Sequence, residues 1–257
     1  MSIVLPYLKP PAKPHSLHAV VLKAVRYKEI EATGIEFSAI GYEIGQLFGT
    51  ESTDFDSLKV AVLEPADNVV PLACYTALFD LISGNWKYML ARTRAVKSPI
   101  NFEHQKSYPR VPKYSTTEKV IGQLDKGIKL LRNSRRFRIS LERWSSSHSR
   151  EDALDTVLDL CSSLEAAFAL SNELRLRLSL AVYHMLSVAK KQGFLTTYQM
   201  YGVRNKFIHG AQIPEVQENE REQFIEIVCR VLLVFLDNGE IPNEERINQL
   251  IISHYSK

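Results

Sequence analysis

The sequence predicts an α+β protein with two parts, a small α+β domain over residues 1–117 and an all-α helical bundle over residues 118–257. Nine of the eleven prolines precede residue 117, and they interrupt regular helix in the first part. The first part also carries short β-branched runs, which favour strands. The second part has apolar residues at helical spacing almost to its end, and this periodicity predicts helices joined by short loops.

Two apolar runs of the first part predict strands, HAVVLKAVRY at 18–27 and LKVAVLE at 58–64. A weaker third run is GIEFSAIGYEI at 34–44. The stretch 68–93 has the length and the Ala and Leu content of one or two helices. Three prolines within 97–119 block regular helix, so this stretch is predicted to connect the two parts.

Six segments of the second part are predicted to be helical, 118–144, 151–170, 173–192, 197–209, 215–238 and 243–255. Polar residues that suit helix caps precede the first four of them, and these are Ser115 to Thr117, Ser149 with Asp152, Ser171 or Asn172, and Thr196 or Thr197. Glycines that suit the left-handed position after a helix follow three of them, Gly193, Gly210 and Gly239. We expect each of these glycines to end a helix.

The overall composition is that of a globular protein with no strong charge imbalance. The net charge is +3 over 257 residues, which neither requires nor excludes an anionic partner. Three cysteines lie far apart, without a CxxC pair, and are expected to be reduced core thiols. The N-terminus lacks the basic start of a signal peptide, and the longest apolar run, at 227–236, is broken by Arg230. We therefore expect a soluble cytoplasmic protein without a membrane partner.

The segment YQMYGVRNKFIHGAQIP, residues 198–214, gathers polar groups at the end of a predicted helix. Three apolar residues at helical spacing predict its core side, Met200, Val203 and Phe207. Three polar residues at four-residue spacing predict a second stripe, Tyr201, Asn205 and His209, with Arg204 beside it. We expect this stripe to face a cleft.

The chemistry of these residues suits a phosphate ester. Arg204 offers a bidentate fork for phosphate, and His209 lies in the last turn, where the partial negative charge of a helix end favours an imidazolium. RNA carries its own nucleophile, the 2′-OH, so its cleavage needs a proton acceptor, a proton donor and positive charge. The alternative is an ordinary polar helix end, since helix ends favour His and Arg for dipole reasons alone.

The order of motifs resembles the Apea-like group of HEPN domains (higher eukaryotes and prokaryotes nucleotide-binding). RNKFIH matches the HEPN signature of Arg, a polar residue, and His a few residues later. The context is also similar, with Leu164-Glu165 in one helix, Leu174 to Leu178 in the next, and Tyr-x-x-Arg-x-x-x-x-His-Gly from Tyr201 to Gly210. The resemblance covers roughly residues 118–240, and it implies an all-α bundle that commonly forms a homodimer.

The resemblance also implies a metal-independent endoribonuclease, with no cofactor, whose Arg and His meet at a dimer-interface cleft. Carried over, Arg204, Asn205 and His209 are the catalytic residues, Tyr201 and Arg204 bind the RNA, and Glu165 supports Arg204. Such proteins often act in phage defence or as toxins, with an antitoxin or sensor partner. Others have lost catalysis and bind RNA, nucleotide or protein, or serve dimerisation, and this alternative stays open.

Three further features of the sequence bear on these expectations. Ala211 stands where HEPN toxins paired with a nucleotidyltransferase antitoxin have Tyr, which argues against AMPylation there. Glu165 lies in an apolar turn, so we expect it to pair with Arg204, although a solvent-facing Glu is the alternative. The basic run RNSRRFRISLER, residues 132–143, is interpreted as an RNA-tracking surface or, preferably, as a solvated or salt-bridged helix face.

Overall fold

Four strands and eight helices form the described residues of the computed structural model, which are 3–5, 11–26, 59–66, 68–84, 117–170, 172–210 and 215–255. The described chain is mostly helical with a small antiparallel sheet, in agreement with the predicted α+β class. It divides into two compact units, Met1–Lys129 and Leu130–Lys257. The assignment of residues 1–117 and 118–257 to separate domains stays a prediction.

The first unit contains a four-stranded antiparallel sheet in the order β1-β4-β3-β2. Its strands are β1 (Ile3–Leu5), β2 (His15–Leu17), β3 (Val20–Arg26) and β4 (Lys59–Pro65). β3 and β4 confirm the two strands predicted from the β-branched runs. β1 and β2 were not predicted, because three residues are too few to establish an alternating pattern. The third predicted run, 34–44, lies outside the described residues.

The first described helix of the first unit, α1 (Leu72–Ser83), begins after Pro71 and ends at Gly84 in the left-handed conformation. Its residues 77–81 are all buried, as is Cys74, so the middle of the helix lies within the unit's core. This helix confirms the helical interpretation of the first half of 68–93. Residues 85–116, with Trp86 and the proline-rich connection, lie outside the described residues.

The helix predicted over 118–144 is two helices, α2 (Thr117–Asn133) and α3 (Arg135–Ser147). Ser134 separates them with φ −125° and ψ 105°, and its hydroxyl accepts a hydrogen bond from the Phe137 N–H at 3.2 Å. The single-helix prediction is therefore wrong. A serine inside an apolar-periodic run is tolerated in a helix, but its side chain competes for backbone donors and favours the N-cap.

The next helix, α4 (Ala153–Phe168), is present as predicted, but its cap differs. Asp152 itself is the N-cap, and its Oδ1 accepts hydrogen bonds from the N–H groups of Leu154 at 2.6 Å and Asp155 at 3.3 Å. The proposed box with Ser149 at the N-cap is wrong, because Ser149 lies three residues too early. The last two helices, α7 (Glu218–Asn238) and α8 (Glu244–Tyr255), confirm the prediction.

Two helices form a tight antiparallel pair, α5 (Leu174–Met185) and α6 (Lys190–Ile208). The predicted break at Gly193 is wrong, because the chain turns between Leu186 and Ala189 and Gly193 lies inside α6. A Cβ at Gly193 would lie 2.6 Å from Leu186 Cδ1. Gly193 therefore allows the turn at Leu186 to pack closely against α6, and it does not end a helix. The N-cap of α5 is Glu173, so neither Ser171 nor Asn172 occupies that position.

The core of the second unit is built around α4, which contacts α3, α5, α6 and α7. Its largest fully buried side chains are aromatic, Phe137, Trp144, Phe168, Tyr201, Phe224 and Phe235. Cys161 and Cys229 are buried free thiols, as is Cys74 in the first unit, and all three were predicted as core residues. The contact between α4 and α6 places Glu165, near the C-terminal end of α4, beside predicted site residues of α6.

Candidate functional site

A cluster of three side chains joins α4 to α6. Glu165 on α4 accepts a hydrogen bond from the Tyr201 hydroxyl, and the same carboxylate oxygen lies 3.2 Å from Arg204 Nη2. The predicted contact between Glu165 and Arg204 is therefore present, and the alternative of an unpartnered, solvent-facing Glu165 is wrong. The Glu165 and Arg204 side chains are each 26% exposed, so water screens this ion pair only in part.

Tyr201 is a core residue as well as a member of this cluster. It is 2% exposed and buried with Met200 and Val203, whereas Phe207 is 38% exposed. The predicted faces of α6 are therefore wrong for Tyr201 and Phe207. A tyrosine can bury its ring and still pair its hydroxyl at the edge of the core, a property that spacing alone does not reveal.

The environment of Tyr201 keeps its hydroxyl protonated. Burial raises the pKa of Tyr201 above its ordinary value, and the hydrogen bond to Glu165 and the charge of Glu165 raise it further. The nearby Arg204 guanidinium only partly opposes this shift of the pKa. Tyr201 is therefore a fixed hydrogen-bond donor to Glu165, and its hydroxyl cannot act as a base near neutral pH.

Arg204 is held by three neighbours. In addition to the Glu165 ion pair, its Nη1 donates a hydrogen bond to Asn205 Oδ1 at 3.2 Å. Its guanidinium carbon lies 5.1 Å from the centroid of the Tyr201 ring, within the range of a cation–π contact. The guanidinium is thus oriented before any ligand arrives, which lowers the entropic cost of binding an anion.

His209 ends α6, as predicted. Its backbone N–H donates to the Asn205 carbonyl at 3.1 Å, and Gly210 follows with φ +68° in the left-handed conformation. The His209 side chain is exposed, as are its neighbours Phe207 and Ile208. The structure does not bring the imidazole into the Glu165 cluster. Ala211, which bears on AMPylation, lies outside the described residues.

An open groove of about 550 Å³ runs along α6 beside the N-terminal turn of α5. Its lining includes four side chains of α6, which are Tyr198, Tyr201, Arg204 and Asn205. Arg175 on α5 lines the same groove. Every predicted site residue of α6 except His209 lines the groove. Glu165 is not among the lining residues, but its carboxylate contacts Arg204.

Arg175 was not predicted as a site residue. Its Nε donates to the Tyr198 carbonyl at 2.9 Å, and its guanidinium carbon lies 3.8 Å from the Tyr198 ring centroid. The Phe194 ring stacks with the Tyr198 ring at 5.9 Å between centroids. The sequence offered one weak indication of this role, since Arg175 lies at the start of the predicted helix that precedes the RNKFIH segment.

The basic run of α2 and α3 is used largely within the fold. Arg136 donates to the carbonyls of Ala166, Ala167 and Pro242, and it thereby covers the open end of α4. Arg143 forms an ion pair with Asp159 at 3.1 Å. These contacts support the preferred interpretation of the run as a salt-bridged helix face, since both Arg136 and Arg143 bind groups within the fold.

Within the described ranges, no group of three or more His, Cys, Asp and Glu side chains is placed to hold a metal ion. The helices of those ranges include none with the length and apolar character needed to cross a membrane. Comparison of the chain with models of protein families, with curated proteins and with solved structures finds no match. The family resemblance of the motif helices stays a prediction.

Proposed function

We propose that the protein is a metal-independent endoribonuclease of the HEPN type, acting in bacterial defence or a toxin-like stress response in the cytoplasm. The observation that carries the proposal is the placement of Arg204. Glu165 and Asn205 hold its guanidinium at the wall of an open groove, and His209 follows at the exposed end of the same helix. A held guanidinium and an accessible imidazole on the same helix provide the two groups that phosphodiester cleavage needs.

In the proposed reaction, the 2′-oxygen of one nucleotide attacks the adjacent phosphorus and the bond from phosphorus to the 5′-oxygen breaks. One His209 imidazole takes the proton of the 2′-OH or gives a proton to the leaving 5′-oxygen. Arg204 neutralises the charge that develops on the phosphoryl oxygens, and Asn205 contacts the phosphate or orients His209. The products are a 2′,3′-cyclic phosphate and a 5′-hydroxyl. Because the Tyr201 ring is buried, its role is to position Arg204 and not to stack a base.

The proposal includes a homodimer, since a second copy supplies a second His209 for the second proton transfer. Two exposed apolar side chains precede His209 directly, Phe207 at 38% and Ile208 at 51% exposure. Exposed apolar groups beside a polar site are typical of a surface that another protein covers. An antitoxin or sensor partner belongs to the same proposal.

The test is RNA cleavage by the purified full chain in EDTA. We expect cleavage that His209→Ala reduces by at least about 100-fold, the usual contribution of a general acid or base. The matched control is His18→Ala, which removes an exposed histidine of the other unit and should leave the rate unchanged. Equal cleavage by wild type and His209→Ala would exclude the proposed mechanism.

A second candidate is a non-catalytic HEPN-like module that binds RNA or nucleotide, or that serves dimerisation. Two observations favour it: the charge of Arg204 is already paired with Glu165, and His209 does not line the groove. This candidate predicts RNA binding without strand cleavage, whether or not EDTA is present. It also predicts equal affinity of wild type and His209→Ala for RNA.

A further inference from the structure

Arg175 is an arginine fixed in place, and no carboxylate of the described residues pairs with it. Its Nε donates to the Tyr198 carbonyl at 2.9 Å, and its guanidinium lies over the Tyr198 ring. Gly202 makes room for it, since a Cβ at Gly202 would lie 2.8 Å from Arg175 Nη2. A long side chain held at three points has already lost much of its rotamer freedom.

The charge of Arg175 is not neutralised within the part of the chain that the structure describes. No ion pair joins it to a carboxylate of the described residues, although Glu173 lines the same groove. Its neighbours differ: Arg177 pairs with Glu244 at 3.7 Å, and Arg204 pairs with Glu165 at 3.2 Å. Of the five N–H donors of Arg175, only the Nε–H has a partner among the described residues.

From this arrangement we propose that Arg175 binds a second phosphate of a single-stranded RNA whose scissile phosphate lies at Arg204. The inference rests on the proposed function and extends it to the substrate. Two guanidinium groups that line one groove suit the repeated negative charges of a nucleic-acid backbone. The unused N–H groups of Arg175 provide the fork that binds a phosphate through two hydrogen bonds.

The groove determines the form of the RNA. Phe194 and Arg175 both stack with the Tyr198 ring, so a base gains no stacking surface there and the contact is to the phosphate. At about 550 Å³ the groove is of the size that holds a small ligand, which is comparable to a short piece of one strand. We therefore expect single strands to bind more tightly than duplexes of the same sequence.

The test is binding of a fluorescent 2′-O-methyl oligoribonucleotide, which lacks the attacking hydroxyl, to the full chain in EDTA at several salt concentrations. We expect Arg175→Gln to weaken binding by about tenfold or more and to lower the slope of affinity against salt by about one ion. The matched control is Arg246→Gln, which removes an exposed arginine of α8 paired with Glu240. It should change neither the affinity nor the slope.

Gly202→Ala provides a second variant that keeps every charge. The added methyl group displaces the Arg175 guanidinium, so we expect weaker binding although alanine favours a helix more than glycine does. Gly122→Ala is its control, because a Cβ at that helical glycine meets no atom within 4 Å. Loss of affinity in Gly202→Ala but not in Gly122→Ala would support displacement of Arg175.

The outcomes separate this inference from the proposed function. If wild type binds and cleaves RNA but Arg175→Gln binds equally well with the same salt slope, the second phosphate position is excluded and the nuclease remains. If Arg175→Gln loses affinity while wild type cleaves no RNA, the position is supported and the catalytic proposal fails. Tighter binding of a duplex, or no binding by wild type at low salt, would overturn the inference.

Discussion

At the scale of single residues, Tyr201 connects the core of the second unit to the groove. Its ring is buried among α4 and α6 side chains, and its hydroxyl donates to Glu165, which in turn holds Arg204. A change at this hydroxyl therefore affects stability and the placement of Arg204 together. The Glu165 carboxylate provides a charged acceptor, and hydrogen bonds to charged acceptors are the stronger class.

Tyr201→Phe should lower the free energy of unfolding by about 1–2 kcal/mol, since it removes a hydrogen bond to a carboxylate that is partly exposed. Urea denaturation followed by circular dichroism measures this change. Tyr198→Phe is the control, because Tyr198 is 37% exposed and its backbone carbonyl, which binds Arg175, is retained. Equal stability of Tyr201→Phe and wild type would show that the hydroxyl bond contributes nothing.

His148 is a second residue whose burial affects stability, in this case through the pKa of its imidazole. It is 4% exposed, its Nδ1 lies 2.8 Å from the Trp144 carbonyl, and its ring packs edge-on against the Trp144 ring. Burial lowers the pKa of His148 to about 4, backbone hydrogen bonds to Trp144 and Ser145 oppose this, and the charge of Arg221 lowers the pKa further. The folded protein therefore holds this imidazole neutral.

The contribution of His148 to the free energy of unfolding should fall as the pH falls from 6.5 to about 4, because the unfolded chain takes up a proton on this group that the folded chain does not. At about 1.4 kcal/mol for each tenfold change in proton affinity, the loss from His148 reaches about 3 kcal/mol. Below pH 4 this group adds no further loss. The measurement is urea denaturation against pH for wild type and His148→Asn, and a constant difference between the two curves would contradict the assignment.

At the scale of elements, the α5–α6 pair determines where the groove lies. The two helices approach closely because Gly193 presents no side chain to Leu186 and Val182. The sequence identified this glycine but suggested the wrong role, since a glycine that ends a helix and a glycine that allows close packing look the same in one sequence. Similarly, the presence of Ser134 in the sequence was not sufficient to predict the break between α2 and α3, because a serine also occurs inside helices.

Gly193→Val should destabilise the protein by about 2 kcal/mol, because its branched side chain would overlap Leu186 and Val182 in a packed turn. The measurement is thermal and urea denaturation of the full chain. Gly122→Val, at an exposed helical position where a Cβ meets no neighbour within 4 Å, should change stability little. Equal effects of the two variants would mean that helix propensity, and not packing, determines the result.

At the scale of the whole molecule, the exposed end of α6 bears on assembly. Ile208→Glu should convert the proposed homodimer to a monomer, because it places a charge in the apolar surface beside His209. Sedimentation or light scattering of the full chain measures the mass. Ile252→Glu is the matched control, an isoleucine of α8 that is 64% exposed. A monomeric wild type, or dissociation by Ile252→Glu alone, would exclude this dimer surface.

The periodicity of apolar residues was sufficient to predict the strands β3 and β4 and the presence of most helices, because long apolar patterns distinguish helix and strand from loop. The pairing of Glu165 with Arg204 was predicted by a separate argument, since a carboxylate in an apolar turn needs a nearby cation. Periodicity could not show that the Tyr201 side chain is buried and the Phe207 side chain exposed, because the rotation of a helix against its neighbours depends on tertiary packing. Arg175 was missed as a groove residue because its partners, Tyr198 and Gly202, lie on another helix.

The helix α2 runs without interruption across the division between the two units. Apolar side chains are buried on both sides of that division, Val120, Leu124 and Ile128 before it and Leu130 and Leu131 after it. A protease cut or a gene fusion anywhere within α2 would therefore leave apolar groups in water on at least one of the products.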